Sequence, residues 1–290
     1  MKISDILAKG GPSVSFEVFP PRKDAPFGPV RDAVAQLAEM KPSFISVTYG
    51  ASGNAQANTA EIASFVQECG TTALAHLTCL TSSRDHIADE ISDLRSRGIE
   101  NILCLRGDWP QADPSSPPPP PPSFAHAVDL VRALRPSTFC LGGACYPECH
   151  PACEHIEADI AHLKEKVEAG LDFLTTQMFF DNNVYFHYLS RLRSAGITVP
   201  VLAGIMPVIN GRQIARICRL SGTQLSPRFR AIVDHFGDNP AAMLDAGVAY
   251  ATEQIIDLFA NGVPAVHVYT MNKPEVAGRI MENLRGIVAC

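Results

Sequence analysis

The sequence predicts a (β/α)8 barrel. Three observations carry that expectation. Eight apolar runs of strand length recur along the chain; segments of helical period separate them; and several runs are apolar throughout rather than alternating, as strands covered on both faces are. An open doubly wound sheet is the competing architecture, and it is weakened because no G-x-G-x-x-G turn follows a strand.

Taken in order, the strands are expected at 14–19, 44–48, 73–77, 102–105, 139–144, 173–177, 201–205 and 265–269. Helices are expected near 28–39, 58–69, 84–97, 124–134, 156–169, 183–194, 210–220 and 275–285. Two more, near 227–235 and 240–260, are inserted before the last strand. Gly70, Gly98, Gly170, Gly196 and Gly262 follow helical segments as C-terminal caps do. The first twelve residues read as a short amphipathic leader without a secretory apolar core. The whole span 1–290 is expected to be one barrel domain, a length that such barrels commonly reach.

Bulk composition narrows the function. With 46% hydrophobic and 19% charged residues, the chain is an ordinary globular one. Its net charge of -6 and lack of a basic block argue against nucleic acid or an anionic membrane as partner. No apolar run reaches 18 residues, so no membrane span is expected. Nine cysteines is an odd count, and Cys79, Cys104 and Cys140 sit inside apolar runs, which fits a reduced, cytoplasmic chain.

In a parallel barrel the carboxyl ends of the strands share one rim, and ligands bind there. That rim would gather Glu17, Thr48, Tyr49, His76, Arg106, Asp108, Tyr146, Glu148, His150, Gln177 and Tyr269. Glu17 is flanked by Phe16, Phe19 and two prolines, a setting that raises a carboxyl pKa by desolvation and suits a general acid. Asp108 follows Arg106 and Gly107 in a polar turn and is suited to stabilising a developing cation.

Three further features are ambiguous. Six consecutive prolines, 117–122, form an extended segment on the same face, a tolerated insertion or a docking motif. Three Cys and two His between Cys145 and His155 could hold zinc, but the paired C-x2-C spacing of structural sites is missing and no metal is expected. Asp159, His162 and Lys166 share one helix face, either solvated or meeting a ribose or diphosphate.

Nine ordered segments carry a resemblance. They are SFEVFPPR (15–22), FISVTYGA (44–51), AHLTC (75–79), LRGD (105–108), YPECHP (146–151), EADIAHLKEKVEAG (157–170), TQMFFD (176–181), GIMPV (204–208) and HVYTMN (267–272). Together they make the chain similar to the catalytic domain of the 5,10-methylenetetrahydrofolate reductases.

The resemblance implies a flavoprotein that reduces 5,10-methylenetetrahydrofolate to 5-methyltetrahydrofolate in one-carbon metabolism. NADH or NADPH reduces FAD and leaves, and folate takes its place. Glu17 matches the acid that assists opening of the five-membered ring, and Asp108 the carboxylate near flavin and pterin. FAD would be lined by Thr48, Tyr49, Ala51, His76, Arg106, Gly107, Asp108, Tyr146, His150, Asp159, His162 and Lys166. Gln177 matches the pterin contact, and Gln213, Tyr269 and Lys273 fall at substrate-side positions.

The same resemblance implies a homo-oligomer, and no C-terminal regulatory domain of the eukaryotic kind. Ile217 stands about where bacterial members stack a Phe on the nucleotide, and Lys273 where many have Arg, which loses a bidentate fork. Both departures touch the electron-donor side. They motivate a second reading, an FAD- and folate-binding subunit that takes electrons from a partner protein. A zinc-dependent barrel hydrolase or methyltransferase ranks third.

Overall fold

A computed structural model of the chain describes residues 1–21, 25–49, 55–108, 122–135 and 137–288. Eight parallel strands close into a barrel in chain order: β1 (Ser13–Val18), β2 (Ile45–Val47), β3 (Ala73–Thr78), β4 (Asn101–Leu105), β5 (Cys140–Cys145), β6 (Phe173–Thr176), β7 (Val201–Ile205) and β8 (Ala265–Tyr269). β8 returns to β1 with Glu17 opposite Tyr269.

Helices α2 (Gly28–Glu39), α3 (Ala55–Glu68), α4 (Arg84–Ser96), α5 (Ala127–Leu134), α6 (Ile156–Glu168), α7 (Asn182–Ser194), α8 (Gly211–Ser221) and α11 (Pro274–Val288) follow the successive strands. The two inserted helices predicted before the last strand are α9 (Pro227–Phe236) and α10 (Pro240–Ala260). Side chains fix many of the helix starts. Ser83, Asp181, Asn210, Ser226 and Asn239 each accept a backbone N–H of the first turn, and Pro227 and Pro240 open α9 and α10, where a missing N–H costs nothing. The fifth helix begins later than its apolar pattern because His126 and Asp129 form a reciprocal cap.

Alternation along the strands divides the core in two. Outward residues such as Phe16, Ile45, Leu77, Ile102, Leu174 and Val266 pack under the helices. Inward residues Leu74, Leu103, Phe173 and Leu202 join Phe44 in a separate plug at the barrel floor. The amphipathic leader forms a short helix, α1 (Ile3–Ala8). Its Ile3 is fully buried in that plug, its Ile3 N–H donates to Asn101 Oδ1 at 2.8 Å, and Asn101 Nδ2 donates to Ala73 O at 3.0 Å. The floor is therefore stoppered.

At the other end, Met178, Phe180, Val208, Ile214, Phe229 and Met243 form a third cluster, which seats α8, α9 and α10 beside the rim. α10 approaches so closely that a Cβ on Gly247 would lie 1.9 Å from Val208 O. Among the described residues no helix is long and apolar enough to cross a membrane. Ala51 and the prolines 117–121 lie outside the described residues.

Candidate active site

The carboxyl ends of the strands surround a cavity of about 990 Å³, at the upper limit of the roughly 300–1,000 Å³ common for ligand pockets. Glu17, His76, His267 and Tyr269 line its base, and Thr48, Tyr49, Arg106, Gly107, Asp108, Tyr146, His150 and Gln177 line its walls and mouth. These residues come from seven different strand ends, so the sequence brings them together only through barrel closure.

Glu17 Oε2 lies 3.6 Å from His76 Nε2 and 4.0 Å from His267 Nε2. Neither ring offers a charge. Burial holds both imidazoles neutral, pushing each down to about 3, and their proximity adds to the effect on His267. Burial pushes the Glu17 carboxyl up to about 8. It is therefore a protonated acid at neutral pH, a form that a desolvated carboxyl without a cation partner must adopt.

β1 and β8 are tied together above this acid. Thr270 Oγ1 donates to Glu17 O at 2.6 Å. Asn272 accepts from Phe19 N–H at 2.9 Å and donates to Phe19 O at 2.9 Å, clasping the loops after the two strands. Tyr269 crosses the barrel and donates its hydroxyl to Thr176 O at 2.5 Å, so that hydroxyl is already committed.

The opposite wall is built by the turns after β4 and β5. Gly107 has φ 80, and a Cβ there would come within 3.0 Å of Thr78 Cβ. The glycine lets the chain turn so that Arg106 faces the cavity and Asp108 stands exposed at its lip. Arg106 O accepts from Leu80 N–H at 2.9 Å, which anchors the turn on β3. After β5, Tyr146 and His150 pack edge to face with centroids 4.5 Å apart. Burial, then the charge of Arg106, keep His150 below the usual imidazole range.

The remaining expected residues occupy supporting or peripheral places. Asp159 Oδ2 accepts from His150 N–H at 3.0 Å, holding the β5 loop from below. Lys166 is half-buried and donates to Ala144 O at 3.1 Å, and His162 Nδ1 lies 3.8 Å from Cys153 Sγ. None of these three lines the cavity. Gln213 and Lys273 are exposed outside it, on α8 and just before α11. Ile217 is half-buried against the cluster that seats α8. Among the described residues no three His, Cys, Asp or Glu side chains are grouped to hold a metal, the Cys/His loop included. Gln177 Oε1 accepts from Met178 N–H at 2.9 Å, which leaves the amide nitrogen available to a ligand.

Sequence reasoning passed over His267, although the strand 265–269 alternates so that Ala265, His267 and Tyr269 share the inner face. Met178, Met206 and Met271 also line the cavity; in the sequence they stand out only as members of the segments 176–181, 204–208 and 267–272, with no role of their own.

A sequence profile described as methylenetetrahydrofolate reductase matches residues 2–285. The chain is 33% identical over 297 residues to "Methylenetetrahydrofolate reductase (NADH) 1" of Arabidopsis thaliana, covering 98% of this chain and 50% of that one. It is 33% identical over 278 residues to the 5,10-methylenetetrahydrofolate reductase of Escherichia coli, covering 95% of this chain and 92% of that one. The chain thus spans about half the length of the plant relatives it matches. Among solved structures, it superposes with a TM-score of 0.66 at 11% identity on a Clostridium thermocellum protein described as binding two copies of 5-methyl-5,6,7,8-tetrahydrofolic acid, covering 100% of this chain and 99% of that one. That likeness concerns the fold.

Proposed function

Because the chain belongs to the methylenetetrahydrofolate reductase family, we propose that it reduces 5,10-methylenetetrahydrofolate to 5-methyltetrahydrofolate, with FAD as cofactor and NADH or NADPH as electron donor. The observation that carries this reading is the Glu17 carboxyl, which burial holds protonated at the base of a cavity of about 990 Å³ and which faces no charged partner among the described residues.

The cavity suits a large cofactor with aromatic and anionic parts. Its volume exceeds what a single small substrate needs, Arg106 supplies a cation, and Tyr49, Tyr146 and His150 offer ring surfaces. His76 Nε2 is buried without a hydrogen-bond partner, as a group awaiting a ligand or a proton would be. Asp159 holds the loop after β5 and Lys166 the end of β5 itself, which keeps Tyr146 and His150 in place beside the cofactor. When bound, FAD would accept hydride from the nicotinamide and pass it to the folate carbon.

The chain's own residues then do the rest. Glu17 protonates the ring nitrogen that leaves the methylene carbon, opening the five-membered ring to a 5-iminium cation. Asp108, at the lip across from Glu17, offers that cation a negative charge. The free amide of Gln177 orients the pterin.

A second reading has one observation in its favour. Ile217 offers no ring for a nicotinamide nucleotide and is half-buried in its own cluster, so a partner protein could supply the electrons instead. One experiment separates the two. The visible spectrum of the purified chain is expected to show flavin that bleaches with anaerobic NADH and recovers with methylenetetrahydrofolate. Flavin that stays oxidised with both nicotinamide nucleotides points to a protein donor. A chain that neither carries nor takes up FAD overturns the assignment.

A further inference from the structure

The role given to Glu17 leaves its two imidazole neighbours unexplained. Both ring nitrogens of His267 are already engaged: Ser15 Oγ lies 2.7 Å from Nδ1 and Ser46 Oγ lies 3.0 Å from Nε2. Neither is left open toward Glu17.

His76 is different. Its Nε2 is buried, has no hydrogen-bond partner, and has Glu17 Oε2 at 3.6 Å. The other groups around Glu17 do not compete. Ser46 and Thr48 come from the β2 side; Ser46 is engaged by His267. Tyr269 of β8 has its hydroxyl on Thr176 O. Arg106, Asp108 and Tyr146 line the same cavity from the turns after β4 and β5, and no ion pair joins any of them to Glu17 among the described residues.

We propose that His76 is a positioning residue for the acid: its Nε2 is the open acceptor toward which the Glu17 O–H rests, while the Ser15–His267–Ser46 set closes the other side. This rests on Glu17 being the proton donor of the proposed reaction. The step balances with no further reactant. The proton passes from Glu17 to the departing ring nitrogen, the C–N bond breaks with its electron pair on that nitrogen, and a carboxylate remains. That carboxylate faces two neutral imidazoles and no cation to hold it ionised. The arrangement therefore favours return of a proton before the next turnover.

The test reads Glu17 itself in the protein as purified, from its side-chain carboxyl carbon-13 shift against pH, assigned by comparison with Glu17→Gln. A hydrogen bond to the neutral acid raises its pKa. His76→Phe keeps a buried ring but removes the acceptor, and is expected to lower the Glu17 midpoint by about one pH unit. His76→Gln keeps an acceptor near Nε2 and is expected to restore most of that loss. A midpoint that His76→Phe leaves unmoved overturns the role given to His76. If His76→Phe does not fold, His76→Leu takes its place. It fills the site without an acceptor, so the midpoint is expected to fall likewise, and an unmoved value overturns the proposal. None of these readings needs folate or nicotinamide turnover, so they stand apart from the test of the reductase assignment.

Discussion

Tyr269 lies over Gly204 so closely that a Cβ on the glycine would sit 2.6 Å from the tyrosine hydroxyl oxygen and 2.2 Å from Thr176 O. The missing side chain of β7 is what lets Tyr269 span the barrel to β6. Gly204→Ala is expected to destabilise the fold by about 1–3 kcal/mol through overpacking. It should also displace Tyr269 from the cavity wall. Urea denaturation measures the first effect. A tyrosine whose ring resonances are unchanged would count against the second.

Glu17→Gln is expected to keep the fold and any flavin reduction by nicotinamide nucleotide. Reduction of methylenetetrahydrofolate should fall by about 10²–10⁴-fold, the usual worth of a positioned general acid. Stopped-flow measurement of the two half-reactions separates them. Equal losses in both would mean that Glu17 serves flavin binding rather than proton donation.

The same carboxyl shapes stability against pH. In the unfolded chain it loses its proton near 4.5, whereas in the fold it holds the proton up to about 8. The folded state therefore binds the extra proton across that window, and stability falls as pH rises from about 4.5 to 8. Glu17→Gln should remove this slope. Melting temperatures of wild type and variant across that range test it, and parallel curves would contradict the buried-acid picture. His76 and His267 act at the other end. Each stays neutral in the fold, so their contribution is present above the ordinary imidazole range and lost as pH falls through 6.5 toward 3.

Asn272 holds both the N–H and the carbonyl of Phe19 and adopts φ 55, a region Asn tolerates better than most residues. Asn272→Ala should cost about 1–3 kcal/mol, because it leaves part-buried backbone groups unpaired. Hydrogen exchange at the Phe19 amide should accelerate, while the barrel-floor amides near Ile3 should not change.

Ile3→Ala opens a void in the floor plug and is expected to cost about 2–5 kcal/mol. The Glu17 midpoint should stay where it is, since no contact joins the two. A shifted midpoint would show that water enters the base of the cavity through the floor.

Much of this molecule is legible in its sequence, for physical reasons that differ by region. Barrel strands buried on both faces must be apolar, so runs such as 201–205 announce themselves, and helix ends carry their own caps at Ser83, Asp181 and Asn239. Strand-end polar residues were legible for the same reason, because Glu17 interrupts an apolar run that has no local need for it. The grouping of His76 with His267 was not legible. Their strands stand far apart in the sequence and meet only through barrel closure, and each histidine alone looks like an ordinary buried ring. The seating of Asp159 and Lys166 beneath β5 and its loop was also hidden, since helical spacing says which residues share a face and not what that face meets. Helix α1 was legible only as an amphipathic leader; that its Ile3 docks in the barrel floor was hidden, because the receiving residues lie on strands far off in sequence.

The stopper formed by Ile3, Phe44, Leu74, Leu103, Phe173 and Leu202 makes the barrel a blind-ended vessel. Whatever enters has to back out by the doorway it came through, and the water it displaces leaves by that route as well. Visitors that occupy the same depth cannot pass each other; they must queue, the first withdrawing before the second goes in.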